Sequence, residues 1–150
     1  MMRVIVNGVS HELDVDRNVP LLHVLRDALG LKSVKLGCGL EQCGACKVLV
    51  DGAPEFSCRR TVGEFEGMSL VTLEGFANET LHPIQQALLD HNAAQCGYCL
   101  SGILIAARAL FDANPRPSRR EIQIALDDHL CRCGAQPRIL NAFCELSANG

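Results

Sequence analysis

The chain has 150 residues, 48% apolar and 21% charged, with a formal charge of −3 at pH 7. That balance belongs to a globular protein rather than a disordered one, and its mild acidity gives nucleic acid no footing. No run approaches the roughly 18–20 apolar residues that span a bilayer, so a membrane span is not expected. The start, Met-Met-Arg-Val-Ile-Val-Asn-Gly, shows neither an apolar signal core nor a twin-arginine motif. The expected location is the cytoplasm, with export beside a signal-bearing partner as the other route. There, nine cysteines point to metal rather than disulfides, because the cytosol keeps thiols reduced.

In chain order, residues 3–6 and 9–15 alternate in polarity around Asn7-Gly8, a type I′ hairpin signal. Asn18-Val19-Pro20 breaks the strand. Leu21, Leu22, Leu25 and Leu29 then recur at helical spacing, and Gly30 stands where a helix cap belongs. A glycine-rich loop over residues 35–46 leads to a short apolar strand, Val48-Leu49-Val50. Asp51-Gly52 turns it into a partner strand over 54–58, and residues 70–73 complete a sheet. Strand–strand–helix–loop–strand–strand–strand is an α+β unit, one helix on one sheet, ending near residue 76. From residue 77 the pattern is helical throughout. Helices are expected over 82–91, 100–111, 118–126 and 137–147, the third opened by the capping box Ser118-x-x-Glu121 and the fourth by Pro137. The division is therefore 1–76, a mixed α+β domain, and 77–150, an all-α four-helix bundle.

Two cysteine constellations carry the chemistry. Cys38, Cys43 and Cys46 stand at Cys-x4-Cys-x2-Cys among glycines, and Cys58 follows. This is the plant-type spacing for a [2Fe–2S] cluster, and glycine lets such a loop bring its amides close to sulfur. In the helical half lie Cys96-Gly-Tyr-Cys99 and Cys131-Arg-Cys133. The segment between Cys99 and Cys131 divides at 114–117 into two nearly equal helical arms, and a hairpin of equal arms returns Cys131 beside Cys99. Cys131 and Cys133 face one core only if that stretch is a turn, which Gly134 suits. Two cysteine pairs across a spacer also describe a structural zinc site; the neighbouring plant-type motif favours a second [2Fe–2S] cluster.

Together the two motifs resemble one family, the iron–sulfur subunits of molybdenum hydroxylases such as xanthine oxidase and aldehyde oxidoreductase. The matching residues are 37–46 (Gly-Cys-Gly-Leu-Glu-Gln-Cys-Gly-Ala-Cys), Cys58, 95–102 (Gln-Cys-Gly-Tyr-Cys-Leu-Ser-Gly), 131–134 (Cys-Arg-Cys-Gly) and Pro137-Arg138-Ile139. The resemblance implies a β-grasp ferredoxin-like domain followed by a four-helix [2Fe–2S]-binding domain. It implies one cluster on Cys38, Cys43, Cys46 and Cys58, and another on Cys96, Cys99, Cys131 and Cys133. It places the second nearer a molybdenum–molybdopterin cofactor, expected as the cytosine dinucleotide, in a separate large catalytic subunit. Gln95 and Cys133 are the implied contacts to that pterin. A flavin (FAD) or haem-cytochrome subunit is the implied onward acceptor. The chain is then an electron-transfer subunit of an oxidoreductase, with no catalytic residue and no substrate site of its own. Its form is similar to small subunits of bacterial enzymes acting on N-heteroaromatics such as nicotinate or isoquinoline, with aldehydes as the alternative substrate class. A free-standing ferredoxin-type carrier and a zinc-stabilised module are the competing functions.

The chain departs from the family at Lys47, where threonine is usual, at Arg59-Arg60 after Cys58, and at Ala135-Gln136. Cys144 reads as a buried free thiol in an apolar helix, and His129 as a solvent or interface histidine. Arg116, Arg119 and Arg120 read as a solvated helix entry.

Overall fold

The computed structural model describes residues 1–76 and 78–150. Strand β1 (Met2–Val6) and β2 (Val9–Leu13) form the first hairpin. Its turn residues Asn7 and Gly8 have φ of 51° and 79°, the left-handed pair a type I′ turn requires. Along β1, Met2, Val4 and Val6 point inward and are buried. Helix α1 (Leu21–His23) continues as a π-helical turn over Val24–Ala28. The expected regular helix is thus widened in its second half. Leu21, Leu22, Val24 and Leu25 are all buried there, and the 3.6-residue pattern does not reveal the wider turn.

Strands β3 (Val48–Val50) and β4 (Ala53–Glu55) pair antiparallel, and β5 (Ser69–Val71) lies antiparallel to β3 and parallel to β1. The sheet order is β2-β1-β5-β3-β4. Of the three strands expected after the loop, β3 has its expected bounds, and those expected at 54–58 and 70–73 are shorter and start one residue earlier. β4 ends at Glu55, which frees residues 56–58 to turn Cys58 toward the loop, and β5 passes into a 3₁₀ turn at Leu73–Gly75. A further 3₁₀ turn at Val62–Phe65, closed by a Thr61/Glu64 capping box, buries Phe65 under the sheet.

The second half is four helices: α2 (Pro83–Asp90), α3 (Leu100–Ala113), α4 (Arg119–Leu126) and α5 (Gln136–Asn149). Helix α3 is the central rod, buried continuously from Ser101 to Ala107. None of the described helices is long and apolar enough to cross a membrane.

Strand β3 explains how the halves meet. Val48 and Val50 face the core beneath α1, whereas Leu49, 5% exposed, faces the helical core with Ile103, Leu104 and Phe143. A strand covered on both faces has no polar side, hence Val-Leu-Val. The molecule is layered as α1, sheet and helical bundle, the α+β arrangement expected. The expected boundary at 76/77 touches Ala77, which lies outside the described residues.

Candidate metal centres

The first sulfur set is built by the loop that leaves α1 and enters β3. Gly39, Glu41 and Gly44 hold φ of 67°, 58° and 80°, and this left-handed sequence curls the amides inward. Cys38 Sγ accepts hydrogen bonds from the amides of Leu40 at 3.2 Å and of Gln42 and Cys43 at 3.4 Å. The Cys38 amide donates to Cys43 Sγ, and the Ser57 amide to Cys46 Sγ, each at 3.4 Å. Ser57 Oγ donates to the Cys46 carbonyl at 2.6 Å, which ties the loop to the segment carrying Cys58. Against the upward pull of desolvation, the amide donors bring Cys38 down to about 7. Desolvation, reinforced by the sulfurs of Cys46 and Cys38, pushes Cys58 up to about 11.

The second set is built from two turns at helix ends. Gly97 and Gly134, at φ of 80° and 76°, turn the Cys96–Cys99 and Cys131–Cys133 stretches; the latter is non-helical, as its spacing demanded. The amides of Tyr98 and Ala135 donate to Cys96 Sγ and Cys131 Sγ at 3.5 and 3.4 Å. Desolvation and the adjacent Cys131 push Cys99 up to about 12. Cys131 moves downward, its amide donors and the Cys99 thiol outweighing desolvation. Each set thus pairs a lowered thiol with a raised one. A cationic core relieves that conflict by taking all four as thiolates.

The donor sets fit two-iron cores. A [2Fe–2S] core spreads four sulfurs over two irons. A cavity of about 170 Å³ at the second set is lined by Cys96, Cys99, Cys131, Arg132 and Leu130, and reaches Cys43 of the first. Buried Ser101 Oγ and both ring nitrogens of His129 lack hydrogen-bond partners. They stand two residues in sequence from Cys99 and Cys131. A groove of about 500 Å³ between α4 and the start of α5 contains no cysteine.

Between the two sets the backbones touch. A Cβ on Gly102 of α3 would overlap the Gly44 carbonyl. The Leu130 amide donates to the Cys43 carbonyl at 3.0 Å, and the Tyr98 hydroxyl to the Leu36 carbonyl at 2.5 Å. Lys47, 6% exposed, pairs with Asp128 at 3.0 Å. The sets also share an inside-out gradient. Cys46 and Cys58 are buried and Cys99 and Cys131 half-buried, while Cys38, Cys96 and Cys133 are exposed. On the exposed side of the second set, Gln95 Nε2 donates to the Cys133 carbonyl at 3.0 Å, so these two residues stand together.

Other singled-out residues fall as follows. His129 is an interface histidine between the halves, packed against Gly44. Cys144 is half-buried in the helical core, 3.7 Å from the Arg119 guanidinium. Arg116 and Arg120 are solvated. Arg60 lies 4.5 Å over the Phe65 ring and pairs with Glu55 and Glu64. Sequence reasoning missed Ser57 as a sulfur-side donor and Gly102 as the contact point; Ser57 beside Cys58 and Gly102 closing the second motif were the available signals.

Residues 4–67 match the 2Fe-2S iron-sulfur cluster binding domain, and residues 72–144 the [2Fe-2S] binding domain. Over 138 residues the chain is 44% identical to one of the subunits of nicotinate dehydrogenase from Pseudomonas putida, spanning 91% of this chain and 88% of that one. Its structure is similar to quinoline 2-oxidoreductase from Pseudomonas putida 86, with TM-score 0.91 and 35% identity over 99% and 96% of the two chains. It is also similar to the aldehyde oxidoreductase from Desulfovibrio desulfuricans, with TM-score 0.93 and 40% identity, where the match covers 99% of this chain but 17% of that longer one.

Proposed function

Because the chain belongs to the iron–sulfur small subunits of molybdenum hydroxylases, we propose that it relays single electrons away from a molybdopterin site in a large partner subunit. In this reading Cys38, Cys43, Cys46 and Cys58 hold one [2Fe–2S] cluster, and Cys96, Cys99, Cys131 and Cys133 the other. Bound clusters supply one-electron exchange, at potentials that burial and hydrogen bonding set. The chain's own residues do the rest. Amides of Leu40, Gln42, Cys43, Ser57, Tyr98 and Ala135 donate to the sulfurs and stabilise their negative charge. The Gly44–Gly102 contact and the Leu130–Cys43 hydrogen bond hold the two loops at fixed separation.

The observation that carries this reading is the shared wall: one cavity is lined by Cys43 of the first set and by Cys96, Cys99 and Cys131 of the second. A storage or purely structural metal site has no need to abut another. The exposed Gln95–Cys133 pair faces outward at the second set, which supports its assignment as the contact to the pterin, taken as the cytosine dinucleotide. The first set, with exposed Cys38, then hands electrons to an FAD or haem subunit. Likeness to nicotinate dehydrogenase and quinoline 2-oxidoreductase supports an N-heteroaromatic substrate for the partner. Likeness to an aldehyde oxidoreductase keeps aldehydes as the second class.

The test is the purified complex. Iron and acid-labile sulfide in equal amounts, two distinct paramagnetic signals on reduction, and a co-purifying large molybdopterin-binding protein are expected. Cys46→Ser should abolish one signal and Cys99→Ser the other. Zinc without labile sulfide, or a chain that never co-purifies with such a protein, overturns the proposal.

A further inference from the structure

Lys47 enters β3 directly after Cys46, and its side chain is 6% exposed. Asp128, three residues before Cys131, accepts from its ammonium at 3.0 Å but is 62% exposed. The Phe56 ring lies 4.7 Å from the same ammonium, the geometry of a cation–π contact. Its hydrogen bond to Lys47, first among the causes, holds the Asp128 carboxyl below the ordinary carboxylate range, so that carboxyl is ionised at neutral pH.

The two charges of this pair are unequally solvated. Water screens the field of the carboxylate, whereas the field of the buried ammonium runs through protein, where screening is weaker. Their sum beside Cys46, the residue that precedes Lys47 in the chain, is therefore positive rather than zero. Reduction adds negative charge to an iron–sulfur core, and a positive potential stabilises the reduced form. We infer that the buried Lys47–Asp128 pair is a potential-setting device, in which Lys47 raises the reduction potential of the adjacent centre and Asp128 moderates that effect. This rests on the two-cluster reading above.

A potentiometric titration of the loaded full-length complex, followed by the paramagnetic signals, tests it. Lys47→Met should shift one midpoint to lower potential, and Asp128→Asn should shift the same midpoint higher. Lys47→Arg should leave it near the parent value. Should Lys47→Met fail to fold, Lys47→Met/Asp128→Asn removes both charges at once and should still lie below the parent. A purely structural role moves thermal stability in both single variants and leaves the midpoints in place. Unmoved midpoints, or shifts of the same sign in Lys47→Met and Asp128→Asn, overturn the inference. Absence of any cluster signal in the unaltered complex instead overturns the functional reading beneath it.

Discussion

At Gly44 two constraints coincide: a φ of 80°, and a side-chain position already filled by the His129 ring and the Asp128 carbonyl. Gly52 shares the first constraint at φ 87° but has open space around it. The pair separates backbone strain from crowding. Gly52→Ala should cost about 1–2 kcal/mol, the left-handed penalty for a residue with a Cβ. Gly44→Ala adds displacement of a buried ring and should exceed it by roughly 1–3 kcal/mol. Denaturant midpoints at constant m-value check both. The Gly52 requirement is visible in the Asp-Gly dipeptide. The crowding at Gly44 is not, because His129 arrives there only after the chain has folded back.

Among the elements, α4 is the one whose boundary was plainest. Ser118 Oγ accepts from the Glu121 amide at 3.3 Å, and Glu121 accepts from the Ser118 amide at 2.7 Å. Ser118→Ala should destabilise the protein by about 1 kcal/mol, read from chemical denaturation. The α2–α5 contact carries a pH dependence. His91 closes α2 and faces Glu145 at 2.8 Å; that hydrogen bond first, then the Ala87 carbonyl, raises its pKa above the ordinary 6.5. The folded state therefore binds the proton more tightly than the unfolded chain. The resulting stability is full below pH 6.5 and is lost as pH rises through the raised value. A stability–pH curve should fall across this range, and His91→Gln should remove that component. An identical fall in the variant refutes the assignment. Elsewhere α1 shows the limit of periodicity: its apolar spacing announced a helix but could not reveal the π-helical turn.

For the whole molecule, the decisive residue is Leu49, contributed by the sheet to the helical core. Leu49→Ala should cost about 2–5 kcal/mol, as burial in a core that cannot fully collapse dictates. Leu89→Ala, at a position 59% exposed, should stay within about 0.5 kcal/mol. Since Leu49 joins both halves, its loss should lower the transition of each. Retention of the first half's transition at its original midpoint would show that the halves fold apart.

Ligand spacing, turn dipeptides, the capping box and the change from period 2 to helical period are local in sequence. The eight candidate cysteines, both hairpins and the four-helix half could therefore be read from it directly. The meeting of the two sulfur sets depends on contacts between residues far apart in the chain. Gly44 beneath Gly102, Cys43 joined to Leu130, and Lys47 buried against Asp128 arise only when β3 is covered on its second face. Lys47 shows the difference most sharply. In the sequence it is one of three departures from a familiar pattern; in the fold it is a desolvated charge paired with Asp128 of the helical half.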